Sequence, residues 1–265
     1  PILRHKEGTP LMKILFLGDV VGAAGCTFLE QRLWGVRKLL GADFVVANGE
    51  NASVGNGLLP ADAKRLKNAG VDVITTGNHV FNRWELRALL DEDSALLRPH
   101  NYPQAPGVGY GVYATPFGRV AVINLIGRSF LASVDCPFRT ADRLLEKDPD
   151  VAIRVVDFHA ETTSEKLALC AYLDGRVTAV VGTHTHVQTA DEAVSDAGTA
   201  TITDLGMTGP VDSILGMGKD EVIERFLTGI PVRLQPGKGE VELCGALVDV
   251  DERGRAHAIE RIRLK

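Results

Sequence analysis

Gly182-Thr183-His184-Thr185-His186 places two imidazoles one residue apart, directly behind the apolar run Thr178-Ala179-Val180-Val181. In extended backbone, side chains at i and i+2 leave the same face with Cα atoms ~6.5–7 Å apart. Paired catalytic metals sit about 3.5–4 Å apart, so each histidine could hold one ion of such a pair. Two solvated loop histidines would show the same H-x-H pattern, and the other donors in the chain must decide. Asp19, Glu50 with Asn51, Asn78 with His79, and His159 each follow a β-like apolar run. Of the seven histidines, only His5, His100 and His257 lie away from such exits. Oxygen and imidazole donors without thiolates suit borderline divalent ions rather than calcium or a structural zinc. Manganese, iron, zinc and cobalt are ions of that kind. Two carboxylates, two Asn amides and three or four histidines exceed the needs of one ion. They fit two, with one carboxylate between them.

The elements that must position these donors alternate. Short apolar runs at Ile14–Leu17, Phe44–Ala47, Val71–Ile74, Ala152–Val156 and Thr178–Val181 have the pattern of strands buried on both faces. Helix-like segments follow at about 27–40, 60–69 (opened by Pro60), 83–90 and 164–173. This is βαβ grammar and predicts a largely parallel sheet. Ligands of open α/β sheets bind outside the carboxyl ends of the strands, where all these donors sit. The middle of the chain differs. Pro99, Pro103 and Pro106 lead into 111–115, a turn at Pro116-Phe117-Gly118 and a strand at 120–125, then a helix near 138–146. Residues 199–203 read as a strand before a glycine-rich loop, 206–218, and 241–250 with 256–264 read as a C-terminal hairpin.

The bulk properties narrow the class. The chain has 265 residues, 45% hydrophobic and 24% charged, which suits an ordinary globular protein. A net charge of −5 argues against a broad nucleic-acid-binding or anionic-membrane surface. No segment approaches the ~18 apolar residues of a membrane helix. Cys26, Cys136, Cys170 and Cys244 are scattered and read as reduced residues of a cytoplasmic protein. Residues 1–11 read as a disordered or appended leader, and 12–265 as a single domain. Gly18-x-x-x-Gly22-x-x-Gly25 matches neither common phosphate-loop pattern, so it gives no nucleotide cofactor.

Taken together, Gly18-Asp19, Gly49-Glu50-Asn51, Gly77-Asn78-His79, His159 and Gly182-Thr183-His184-Thr185-His186 resemble the motif series of the calcineurin-like metallophosphoesterases. The usual D-x-H opening is here Asp19-Val20-Val21, and Asn48-Gly49-Glu50-Asn51 replaces G-D-x-x-D. With Thr203-Asp204-Leu205-Gly206-Met207-Thr208-Gly209-Pro210, the altered set resembles the YmdB-like phosphodiesterase branch. The resemblance implies an α/β fold, a two-sheet β-sandwich flanked by helices in α/β/β/α layers. It also implies a dinuclear site with two divalent or mixed-valence ions per chain, iron or manganese favoured and zinc, cobalt or magnesium as alternatives.

Carried over by position, the resemblance gives one ion to Asp19, Glu50, Asn51 and His186. It gives the other to Glu50, Asn78, His159 and His184, with Glu50 bridging. A metal-bridging hydroxide would attack phosphorus, and His79 would serve as general acid. The implied substrates are small 2′,3′- or 3′,5′-cyclic nucleotides. Arg128, shortly after the 120–125 strand, is a candidate contact for the substrate phosphate. Each residue also has a plainer reading. Asp19 could cap a helix, Asn48-Gly49 and Asn78 could be turn residues, Asn51 could bond its own loop, and His159 could be a core histidine. His100 reads as structural. At the level of function, the alternatives are a phosphomonoesterase or nucleotidase, and a regulatory RNA-linked binding protein with incidental turnover. A homo-oligomer is compatible with all of them.

Overall fold

The computed structural model describes residues 12–265. The expected leader over 1–11 lies outside the described residues. The chain begins with β1 (Met12–Leu17), β2 (Asp19–Val20), α1 (Gly22–Leu40), β3 (Phe44–Asn48), α2 (Pro60–Ala69), β4 (Val73–Thr75) and α3 (Leu86–Glu92). It continues through β5 (Tyr110–Thr115), β6 (Gly118–Ile126), α4 (Pro137–Leu145), β7 (Ile153–His159), α5 (Thr163–Leu173) and β8 (Ala179–Thr183). It ends with β9 (Ala193–Val194), β10 (Ala200–Ile202), β11 (Met207–Pro210), α6 (Lys219–Thr228), β12 (Val241–Val250) and β13 (Ala256–Leu264).

Two mixed sheets result. One runs β2-β11-β12-β1-β3-β4 with β13 on the other side of β12, and the second runs β5-β6-β7-β8-β10-β9. The predicted parallel core is real but divided: β1, β3 and β4 pair in parallel in one sheet, and β6, β7, β8 and β10 in the other. The two predicted hairpins supply antiparallel strands, β5 against β6 and β13 against β12.

Three apolar layers follow from the pleat. Ile14, Phe16, Val46 and Val248 of the first sheet meet Val122, Val155, Val181 and Ile202 of the second. Leu15, Leu17, Val45 and Ala47 face α1 and α2, while Leu125, Val156 and Phe158 face α4 and α5. The order is therefore helices, sheet, sheet, helices, as the resemblance implies. Each fully buried side chain of this kind contributes about 1.5–3 kcal/mol. The resulting rigidity reaches the site directly, because the donors lie at the last residue of these strands or within three residues beyond them.

Two expectations need correction. The 206–218 segment is not wholly a glycine-rich loop. Met207–Pro210 form β11, parallel to β2 and antiparallel to β12, because pairing on both edges overrides the weak strand propensity of Gly and Pro. Helix α1 starts at Gly22 rather than near Thr27 and is preceded by Val21 as cap residue, so Asp19 does not cap it.

His100, which the sequence leaves as structural, is half-buried and away from the donors. Its backbone N–H donates to Asn124 O at 2.7 Å, and its Nδ1 faces the Gly109 N–H at 3.3 Å. Burial and the neighbouring Arg98 push its imidazole down to about 4. Between the unfolded value near 6.5 and about 4, the unfolded chain binds a proton that the folded chain refuses. This contribution to stability is whole above pH 6.5 and falls as pH drops through that window. His100→Asn keeps an acceptor and does not titrate. Thermal melts across pH 6.5 to 4 should therefore give a flatter Tm profile for the variant, and parallel profiles would refute the assignment.

Candidate metal centre

The donors converge at the carboxyl ends of five strands, β1, β3 and β4 from one sheet and β7 and β8 from the other. Close approach there requires glycine. A Cβ on Gly18 would lie 2.1 Å from Gly206 O, so only glycine lets the chain leave β1 and run beside β11. On Gly77 it would meet His159 Nε2 at 2.3 Å and Glu50 Oε2 at 2.5 Å. Gly77→Ala must therefore push the His159 ring or the Glu50 carboxylate aside. A displacement near 1 Å costs about 10²-fold in rate, so we expect turnover near or below ~1% together with reduced metal content, measured by elemental analysis of the folded variant.

His159 closes β7 and is fully buried. Beneath it, Asp157 accepts from the Thr183 hydroxyl at 2.7 Å and from the Thr75 hydroxyl. Thr183 spends its proton on Asp157, so its oxygen accepts from His159 Nδ1–H at 3.0 Å. In neutral His159 this leaves a lone pair on Nε2. That atom faces Glu50 Oε1 at 3.0 Å, Asn78 Oδ1 at 2.9 Å and His184 Nδ1 at 3.0 Å. His184 is fixed likewise, because its Nε2 reaches Glu161 Oε2 at 2.8 Å and thereby leaves a lone pair on Nδ1. Four electron-rich atoms thus converge, and one shared proton cannot satisfy them. A cation can: ligand atoms at right angles around an ion with bonds of ~2.1 Å lie ~3.0 Å apart. One donor atom each from Glu50, His159 and His184 falls within 4.8 Å of the other two.

A second cluster adjoins the first. His186 Nδ1 donates to Leu215 O at 3.0 Å, so its Nε2 points at Asp19 Oδ1 (3.5 Å) and the Asn51 amide (3.2 Å). The Asn51 amide also lies 3.3 Å from Asp19 Oδ1 and 3.5 Å from Glu50 Oε1. Turned about its last bond, it presents oxygen rather than nitrogen to the cluster. Glu50 Oε1 therefore touches both groups, while Glu50 Oε2 accepts the His79 backbone N–H at 3.0 Å.

Electrostatics agree with a site built for positive charge. Burial alone would raise the Asp19 carboxyl, but His186 and then His159 hold it well below the usual carboxylate range. Glu50 is likewise buried and is held low mainly by His159. Burial pulls the His186 imidazole down, yet Asp19 beside it pushes it up to about 9. Bound ions would replace these protons, because histidine ligates in its neutral form.

The H-x-H segment corrects the extended-backbone expectation. Strand β8 stops at Thr183, and His184 and His186 have φ of 106° and 65°. The two rings are aimed by a strained turn rather than by the pleat. Such non-glycine conformations cost about 1–3 kcal/mol each and need outside support. Asp204 gives much of it. Its Oδ2 accepts from Thr185 N at 3.0 Å, Thr185 Oγ1 at 2.7 Å and the buried Lys166 Nζ at 2.8 Å. Asp19 Oδ2 adds a bond from His184 N at 3.1 Å.

The two remaining sequence candidates, His79 and Arg128, lie outside both donor groups. His79 is half-buried, with Nδ1 2.8 Å from the Asn82 amide and Nε2 3.3 Å from that of Asn78. Arg128 is exposed at the end of β6, its backbone N–H held by Glu165 Oε1 at 3.0 Å. Its guanidinium has no described hydrogen-bond partner. Residue types alone did not expose Asp157, Thr183, Glu161, Asp204 or Lys166. The one available signal was spacing, since Asp157 and Glu161 lie two residues either side of His159. Asn48, which could have been a mere turn, instead places its amide within 3.4 Å of both His159 Nδ1 and Thr183 Oγ1.

A family model described as YmdB-like protein matches residues 15–262. This chain belongs to the YmdB-like family. A 2′,3′-cyclic-nucleotide 2′-phosphodiesterase of Bacillus subtilis (strain 168) is 45% identical over 254 residues, covering 95% of this chain and 96% of that protein. Among solved structures, a hypothetical protein from Thermus thermophilus superposes with a TM-score of 0.90 at 40% identity, covering 96% of this chain and 99% of the other. A novel phosphatase from Mycoplasma pneumoniae gives 0.92 at 35% identity, covering 97% and 94%. The metallophosphoesterase-type layering of this YmdB-like chain is thus shared with solved structures across nearly its whole length.

Proposed function

We propose that this chain is a metal-dependent phosphoric diester hydrolase that opens small cyclic nucleotides on two ions. The observation that carries the reading is the face-to-face array of lone pairs at His159, His184, Asn78 and Glu50, with a second donor group sharing Glu50. Asp19, Glu50, Asn51 and His186 would hold one ion, and Glu50, Asn78, His159 and His184 the other. The donors accept manganese, iron, zinc or cobalt, and the family resemblance puts iron or manganese first. Bound ions would supply Lewis acidity to the phosphoryl oxygens and lower the pKa of water from 15.7 to about 7.

The chain's own residues do the rest. Glu50 keeps the two donor groups in register. His79, with Nδ1 beside the Asn82 amide and Nε2 beside that of Asn78, would give a ring proton to the departing alkoxide. Arg128 is free to meet a non-bridging phosphate oxygen. The Bacillus relative's name supports a 2′,3′-cyclic substrate, and a 3′,5′-cyclic one remains within the same chemistry.

A cytoplasmic setting belongs to this reading; among the described residues no helix is long and apolar enough to cross a membrane. Self-association does too, since α6 turns Ile223, Phe226 and Leu227 to solvent. The test is elemental analysis of the purified protein with assays on 2′,3′- and 3′,5′-cyclic nucleotides and bis(4-nitrophenyl) phosphate. About two ions per chain and diester turnover are expected. A manganese- or iron-reloaded protein inert toward all three would end the proposal.

A further inference from the structure

Beside His186 lies a cavity of about 230 Å³ that the metal chemistry does not use. The His186 ring is part of its wall. A phosphate held at the second donor cluster would therefore adjoin it through His186. Val187, Met207, Val211 and Leu215 form apolar sides. Val187 and Leu215 are 60% and 48% exposed, a position that burial in the core does not explain.

The polar part of the lining is different in kind. Glu242, only 12% exposed at its side chain, receives Arg263 Nε on Oε1 at 2.7 Å, and Cys244 Sγ lies 3.4 Å from the same oxygen. Among the described residues, no hydrogen bond reaches Glu242 Oε2 or the two terminal nitrogens of Arg263. Glu242 Oε2 is thus open to an incoming N–H, beside an Arg263 side chain that is 67% exposed and can swing its terminal nitrogens over the cavity mouth.

The volume and charge select the occupant. Pockets for whole drug-sized ligands run to about 300–1,000 Å³, so this one suits a fragment of a nucleotide. The Glu242–Arg263 pair is neutral overall and its carboxylate would repel a second phosphate. A nucleobase has what the lining asks for: flat apolar faces, and an edge with an N–H donor next to a carbonyl or ring-nitrogen acceptor. Resting on the phosphodiesterase reading above, we propose that this cavity is the base-binding subsite of the same active site, with Glu242 and Arg263 reading the base edge.

The test compares substrates with and without a base. In Glu242→Gln and in Val211→Trp, which narrows the cavity from a partly exposed position, kcat/KM for 2′,3′-cyclic AMP and 2′,3′-cyclic GMP is measured beside that for bis(4-nitrophenyl) phosphate. The expected result is a fall of about tenfold or more in the ratio of cyclic-nucleotide to reporter kcat/KM, carried by KM. A wild-type ratio in a folded variant of either kind, with the wild-type enzyme active on both substrates, overturns the subsite alone. Wild-type protein inactive on both overturns the phosphodiesterase reading and the subsite with it.

Discussion

Glu50→Gln is expected to lower diester turnover by on the order of 10³-fold or more and to strip the protein of at least one ion. Glu50 Oε1 lies 3.0 Å from His159 Nε2 and 3.5 Å from the Asn51 amide, so it touches both donor clusters. Its other oxygen accepts the His79 N–H, so an amide nitrogen there would face a donor with a donor. Either orientation of the glutamine fails. With Oε1 replaced by nitrogen, two clusters lose their shared ligand; with Oε2 replaced, the His79 segment is pushed away. Charge acts in the same direction, since losing one buried carboxylate weakens the attraction for any cation. Elemental analysis and steady-state kinetics read the result. A folded variant with two tightly held ions and wild-type kcat would contradict the bridging role.

His79→Ala should cost about 10²–10⁴-fold on a cyclic nucleotide, the usual share of a general acid. The loss should depend on the leaving group. A ribose alkoxide needs a proton as it departs, whereas 4-nitrophenolate leaves without one. The variant should therefore keep much more of its activity on bis(4-nitrophenyl) phosphate than on 2′,3′-cyclic AMP. His79 lies outside the two donor groups, with its ring against Asn78 and Asn82, so ion content should hold. Equal losses on the two substrates would remove His79 from proton transfer. The same variant addresses the binding-protein alternative: undiminished ligand affinity and cellular effect after loss of turnover would favour it.

Much of the site was legible in the sequence because its donors occupy strand exits, and apolar runs of four or five residues mark those exits clearly. Asp19, Glu50, Asn51, Asn78, His159, His184 and His186 were named on that basis and on family resemblance, and the fold brings them together. What aims them was not legible. The extended geometry expected for His184 and His186 fails because Asp204, Asp19 and the Leu215 carbonyl hold a left-handed turn, and no local pattern announces those partners. Likewise, the tautomer of His159 depends on Asp157 through Thr183, a chain set by the register of β7 against β8. The division of the parallel strands between two sheets came from the family resemblance; the hairpins agree with a second sheet but do not predict it. Which strands share a sheet depends on long-range pairing that periodicity cannot encode.

The place of β12 has a consequence for how the protein comes into being. It lies against β1 along one edge and also against β11, which in turn flanks β2 and its Asp19. As the polypeptide leaves the ribosome, Asp19, Glu50 and Asn78 emerge well before Val241–Val250 can lock the opening strand in place. Pairings across such sequence distances form late. Any ions that the site holds would then be taken up by a finished polypeptide rather than by a growing one.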